Sequence, residues 1–207
     1  IRVFGTARPV ARAPQGESLE DFLPPIGEQE VGATHQTSIC LRADEYVTGF
    51  RVRTIDPGFL ASLFFVGQPG LRGIQPLCGQ MRVDGSLTIG APTAPVLGEF
   101  LGLGTPFGFD SDEVTANCEM PVFDTFRRGV ANGLFAELTD REDPTRLVAI
   151  GLECAFADDL DPILADIASQ PLTRDGTTTC PPGTAIKGLR VSGTGRTADL
   201  TSIAAVC

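Results

Sequence analysis

The spacing Leu-x-x-Ile-x-x-x-Cys occurs three times in this chain, at Leu71–Ile74–Cys78, Leu147–Ile150–Cys154 and Leu200–Ile203–Cys207. Each of these segments is preceded by one further cysteine, Cys40, Cys118 or Cys180, so the scheme uses all six cysteines. The chain therefore reads as three copies of one cysteine-bracketed unit, spanning about 40–78, 118–154 and 180–207. An internal repeat constrains the fold more strongly than local propensity does. Features common to the copies are structural, and function is to be sought in what differs.

The opening segments alternate with period two, which predicts a strand with one buried face. In Val47-Thr48-Gly49-Phe50-Arg51-Val52, Phe50 and Val52 share a face and Arg51 and Arg53 take the other; Leu189 and Val191 repeat the pattern in the third unit. The preceding glycines, Gly49 and Gly188, leave room for a bulge or a close neighbour. In the second unit Arg127-Arg128-Gly129-Val130 stands as the counterpart. In each closing segment the isoleucine lies four residues before the cysteine, so on a strand both point into one layer. The long connectors, 79–117 and 155–179, should hold structure of their own. Leu87–Ile89 and Val96–Leu101 read as strands. Asp161–Ile167 reads as a short helix, with Asp161 as N-cap and Pro162 in its first position.

Twenty-four glycines and 16 prolines in 207 residues suit short strands and turns better than long helices. No apolar run approaches the roughly 18 residues of a membrane span. The chain begins at Ile1, which reads as a processed or partial product exported after loss of a signal peptide. Six cysteines favour disulfides and an oxidising, extracellular or cell-surface setting. Zinc is the alternative, but the sequence has no Cys-x-x-Cys pair and one histidine. Of about 15 possible connectivities, the repeat favours Cys40–Cys78, Cys118–Cys154 and Cys180–Cys207. In the chain-entropy picture loops of these sizes contribute about 3.5–4 kcal/mol each. A net charge of −10 disfavours nucleic acid as a partner.

The third unit runs Cys180-Pro181-Pro182-Gly183, then Gly188-Leu189, then Leu200, Ile203 and Cys207. This pattern resembles the vitelline membrane outer layer protein family. The resemblance covers about residues 36–207, with the second unit departing from it at Arg127–Val130 and at the shifted Pro121. It implies an all-β, β-prism-like fold: three antiparallel sheets around a pseudo-threefold axis, each sheet from one repeat. It also suggests glycan binding, since several prism proteins are lectins. The residues offer little for a sugar-stacking site, with no tryptophan and only Tyr46 among the tyrosines. Tyr46, Arg51 and the acidic loops are the residues a glycan would engage.

Catalytic chemistry finds little purchase. His35 and Cys40 are a conceivable base and nucleophile, but Cys40 belongs to the repeat, which points to a disulfide instead. No nucleophile elbow and no phosphate loop occurs. Two carboxylate clusters, Asp110, Asp112, Glu113 and Asp158, Asp159, Asp161, are candidates for calcium or, if brought together, for glycoside cleavage. No other cofactor is implied.

Residues 1–36 read as an extended arm preceding a single three-repeat domain, 37–207. Ile1, Val3, Gly5 and Ala7 alternate with Arg2, Phe4, Thr6 and Arg8, which is strand-like. Arg2, Arg8 and Arg12 make the arm's beginning basic, whereas all the acidic residues lie beyond residue 16. A lone strand must pair, with its own body or with the sheet edge of a neighbour. Docking in trans, head to tail, would build a filament. The sequence thus leads to the expectation of a secreted, non-enzymatic protein assembling through Ile1, Arg2, Val3, Phe4, Arg8 and Arg12 into an extracellular filament or surface layer. A soluble lectin-like prism is the alternative.

Overall fold

The computed structural model describes residues 22–27, 33–56, 70–80, 87–88, 97–98, 110–122, 125–139, 146–156, 159–166, 176–193 and 199–207. These form strands β1 (Ile26–Gly27), β2 (Thr34–Ile39), β3 (Glu45–Asp56), β4 (Leu71–Gln80), β5 (Leu97–Gly98), β6 (Asp110–Asn117), β7 (Glu119–Val122), β8 (Thr125–Leu138), β9 (Leu147–Phe156), β10 (Asp159–Asp166), β11 (Gly176–Thr179), β12 (Gly188–Gly193) and β13 (Leu200–Val206), and no helix among the described residues.

Three antiparallel sheets result: β5-β4-β3-β6, β10-β9-β8-β11 and β1-β13-β12-β2, with β7 hairpinned onto the start of β8. Each sheet is built to one plan, an opening strand (β3, β8, β12) between a closing strand (β4, β9, β13) and a strand that leads directly into the next opening cysteine (β6, β11, β2). The fold is a β-prism, but its sheets are not each made from one repeat. Every unit gives its leading strand to the sheet of the unit before it, and β2 closes the ring by pairing with β12 of the last unit.

The core follows from the repeat. Leu71, Leu147, Leu200, Ile74, Ile150 and Ile203 are 0–1% exposed and meet around the axis; burying such a side chain stabilises by about 1.5–3 kcal/mol. A three-residue step from Leu to Ile would put them on opposite faces of a regular strand. One bulge per closing strand corrects this, since the ladder skips Arg72, Val148 and Thr201 in turn. A second bulge lies in β3 and β8, at Thr48 and Asn132. Here the carbonyls of Thr48, Asn132 and Lys187 accept hydrogen bonds from the amides of Cys118, Cys180 and Cys40, each at 2.8 Å. The register makes Asn132-Gly133-Leu134-Phe135-Ala136 the second unit's counterpart of Thr48–Val52. This corrects the alignment on Arg127–Val130, whose start pairs instead with β7.

One further reading changes. Asp159–Asp166 is strand β10, not a helix, because its backbone completes the outer edge of the second sheet; Asp161 and Pro162 fall in a register break where no ladder amide is required of the proline. Of Val96–Leu101, Leu97–Gly98 is strand β5, and beside β4 Thr88 donates its amide to Gln80 O. The boundary at residue 36 falls inside β2, and Phe22 and Ile26–Gly27 pair with β13, so these residues and Thr34–Ile39 belong to the third sheet in cis. Residues 1–21, with Ile1, Arg2, Val3, Phe4, Arg8 and Arg12, lie outside the described residues.

The disulfides Cys40–Cys78, Cys118–Cys154 and Cys180–Cys207 each cross a corner. Cys40 follows β2 of the third sheet and Cys78 lies in β4 of the first; the other two bonds join first to second and second to third. Together they form a covalent ring at one end of the prism. The corners are closed by packing as well. Gly98 N donates to Gln36 Oε1 at 2.6 Å between β5 and β2, Gly176 lies so close to Ile26 that a Cβ would sit 2.4 Å from its Cγ2, and β6 lies beside β10.

Candidate functional site

Threefold repetition turns each outer sheet face into a comparison with the other two. The residue between two core positions of each opening strand points outward with its cross-strand partners. In the first sheet this row is Gln75–Arg51–Thr115, in the second Gly151–Phe135–Thr177, and in the third Ala204–Arg190–Thr37. The threonine is common to all three, three residues before each opening cysteine. The rest has diverged.

On the second sheet Phe135 is 1% exposed and lies on Gly151, where a Cβ would be 2.2 Å from the ring. On the third sheet the Arg190 guanidinium sits 5.0 Å from the Phe22 ring centroid, and His35 Nδ1 is 2.7 Å from Ser192 Oγ. Burial and the Arg190 charge both lower the His35 pKa, in that order. The neutral imidazole resembles half of a Ser–His pair, but Ser192 is only 1% exposed, which denies a substrate approach. His35 does not meet Cys40, whose sulfur is in a disulfide.

The first sheet keeps an open polar face. Arg51 Nε lies 2.8 Å from Glu113 Oε1, and Arg53 Nη2 lies 4.0 Å from Glu113 Oε2; the three side chains are 38–43% exposed. An ion pair so exposed contributes about 0–1 kcal/mol to stability. Its consequence is positional, because it holds a guanidinium and a carboxylate together beside Gln75 and Thr115.

Tyr46 lies elsewhere, at the disulfide end. The ammonium of Lys187, the sole lysine, sits 3.9 Å from its ring centroid and donates to Glu45 O at 2.7 Å and to Ala43 O. Burial lowers the Lys187 pKa against the opposing pull of Asp44 and Glu45, and burial followed by the Asp44 charge raises that of Tyr46. A Gln80 hydrogen bond to Asp44 holds that carboxyl below its usual range. The ammonium is fully engaged, so this cluster ties the 41–45 turn to the third sheet and leaves nothing for a substrate.

Structure separates the two carboxylate clusters. Asp110 pairs with Asp56 at the hairpin end of β3, whereas Asp159 pairs with Phe156 beyond Cys154, at the disulfide end. The two stretches therefore begin at opposite ends of the prism. Glu113 is committed to arginines, Asp158 lies outside the described residues, and no group of three metal-ligating side chains occurs among the described residues. A depression lined by Thr48, Leu87, Asn117, Glu119, Arg128 and Gly129 has a volume of about 10 Å³, room for about one water.

Two signals in the sequence pointed to this arrangement and are easily overlooked. Thr-x-x-Cys at Thr37, Thr115 and Thr177 marks the three exchanged strands. Pro24-Pro25-Ile26-Gly27-Glu28 mirrors Pro95-Val96-Leu97-Gly98-Glu99, which identifies the N-terminal segment as the outer strand of the third unit.

No helix among the described residues is long and apolar enough to cross a membrane. No protein-family description matches the chain, and no curated protein matches its sequence. Two solved structures are similar to it over most of their length. The agglutinin of Calystegia sepium is 12% identical with a TM-score of 0.48, over 89% of this chain and 93% of that one. Calsepa lectin in complex with a bisected glycan is 9% identical with a TM-score of 0.37, over 89% and 95% respectively.

Proposed function

We propose that this protein is a secreted, non-enzymatic, lectin-like β-prism of the vitelline membrane outer layer type, and that it binds hydroxyl-rich ligands on the outer face of its first sheet. The observation that carries this reading is the Gln75–Arg51–Thr115 row with Glu113 alongside. Where the other two sheets place Phe135 against a glycine and Arg190 beside Phe22, this one offers half-exposed donors and acceptors side by side. Saccharide hydroxyls both donate and accept, and a guanidinium, a carboxylate and an amide fixed together complement them. Three disulfides suit an extracellular setting.

Assembly through strand addition draws less support from the fold. The described sheet edges meet one another at the prism corners, and the strands at 22–39 are used in cis. A head-to-tail filament would have to be built by residues 1–21. The discriminating experiment is a glycan array, followed by titration of the best hit into wild type and Arg51→Ala. Binding that falls at least tenfold in the variant supports the face. An array without hits, combined with filaments by electron microscopy that vanish when residues 1–16 are deleted, would sink it in favour of assembly.

A further inference from the structure

At the hairpin end of the prism the three closing strands begin side by side. The residues before Leu71, Leu147 and Leu200 are Gly70, Arg146 and Asp199. Core positions around this axis are alike in all three units, so their neighbours' divergence is informative. Asp199 is 6% exposed and faces Gly70, where a Cβ would lie 2.8 Å from its Cγ. Arg146 Nη1 donates to Asp199 Oδ2 at 2.9 Å. Arg72, the bulge residue of β4, brings its Nε only to 3.8 Å from Asp199 Oδ1, beyond hydrogen-bond distance.

Asp199 is thus committed to Arg146. Arg72 Nε is sealed from solvent without an acceptor, although the side chain as a whole remains 26% exposed. Among the described residues two other arginines, Arg51 and Arg190, have a buried Nε that makes no hydrogen bond. Arg51 has Glu113 at 2.8 Å, and Arg190 has the Phe22 ring. Among the described residues Arg72 has one ionic partner, the Asp199 carboxylate at 3.8 Å, which already accepts a hydrogen bond from Arg146. The buried Nε is held without an acceptor at a free-energy cost, while the exposed part of the same guanidinium is open to an oxyanion, which would supply the charge-assisted hydrogen bonds that Asp199 at 3.8 Å does not.

We propose that the axis end is an anion site, in which Arg72, supported by the Arg146–Asp199 pair, takes the oxygens of a sulfate, phosphate or carboxylate group. The site lies at the end of the prism, apart from the outer face of the first sheet, and stands independently of glycan binding there. The protein's overall negative charge does not prevent this, since exposed charges more than about 8–10 Å away are largely screened at physiological salt. A single partly solvated arginine supports affinity in roughly the millimolar range.

The test is isothermal titration of the intact oxidised protein with sodium sulfate and, separately, with an unsaturated uronate disaccharide, each against sodium chloride of equal ionic strength. Wild type should bind at least one of the two, and Arg72→Gln should weaken that binding about tenfold, with Arg72→Lys intermediate. Sulfate binding alone identifies a free oxyanion as the ligand; stronger uronate binding identifies an acidic saccharide. No heat beyond the chloride control, or equal affinity in Arg72→Gln, would overturn the proposal and leave Arg72 a structural ion. Circular dichroism of both variants guards against unfolding as the cause.

Discussion

Among the described residues three glycines with positive φ allow the prism's outer strands to be weighed by one controlled comparison. Gly27 (φ 94°) and Gly98 (φ 97°) occupy equivalent places, paired with β13 and β4, and Gly183 (φ 85°) lies in the turn after Cys180. Alanine at any of them incurs the left-handed backbone penalty of about 1–2 kcal/mol. At Gly183 that is the whole effect, because nothing lies within 4 Å of the added Cβ. At Gly98 the Cβ would be 2.2 Å from Arg72 O, and at Gly27 2.3 Å from Thr201 O. Both obstacles are backbone atoms that no rotamer change can move. The strand must lift, and with it goes part of the burial of Leu97 (2% exposed) or Ile26 (5% exposed), which is about 1.5–3 kcal/mol for a whole side chain. Gly98→Ala and Gly27→Ala should therefore each cost about 3–4 kcal/mol, against about 1–2 for Gly183→Ala. For a chain of 207 residues this becomes a melting-temperature loss of roughly 6–10 °C against roughly 3–5 °C. Urea denaturation of the oxidised proteins, with calorimetry as a second probe, measures the difference. If all three variants lost the same stability, the short strands would not be docked as described and the threefold equivalence of the N-terminal segment would fail.

Asp199→Asn should cost about 2–3 kcal/mol, below the usual 3–5 for breaking a buried ion pair because both arginines keep some solvent; unchanged stability in urea would show that the cluster is not a structural pin. Replacing Cys180 and Cys207 together by alanine should lose about 3.5 kcal/mol from the smallest of the three closed loops, readable in the same assay, with a loss below 1 kcal/mol contradicting the staple. The His35 pKa is lower folded than its ordinary 6.5, so the unfolded chain binds more protons between the two values. The group's contribution is intact above about pH 6.5 and is lost as pH falls through the folded value. Melting temperature followed from about pH 7 to pH 5 should consequently drop more steeply in wild type than in His35→Gln; parallel curves would assign the acid sensitivity to other groups.

Much of the architecture was legible in the chain itself. The cysteine brackets, the Leu and Ile positions of the closing strands and the Phe50/Arg51/Val52 alternation are local patterns. Local patterns survive in sequence because every copy must fill the same place around one axis. That requirement forces Leu71, Leu147 and Leu200 to be alike, and it made a threefold repeat of strands predictable; the three-sheet prism was what the family resemblance implied. The same reasoning misplaced the second unit by four residues. Its outward position holds Phe135, a residue type that alternation assigns to the core, so the polar–apolar signal vanished there. It also read Asp161–Ile167 as a helix from a proline and a cap, cues that an edge strand with a register break satisfies equally well.

What the sequence alone determined is the repeat, its strands and the composition of the core, because burial acts residue by residue and leaves its mark at fixed spacing. Only the tertiary structure decided which strand completes which sheet, that Ile26–Gly27 and Thr34–Ile39 close the ring in cis, that each disulfide spans a corner, and that Arg51 and Arg72 face such different surroundings. Those are contacts between residues far apart in the chain. An Arg51 beside Glu113 and an Arg72 short of an acceptor are spelled with the same letter, and the distance to a carboxylate exists only once the sheets have closed around the axis.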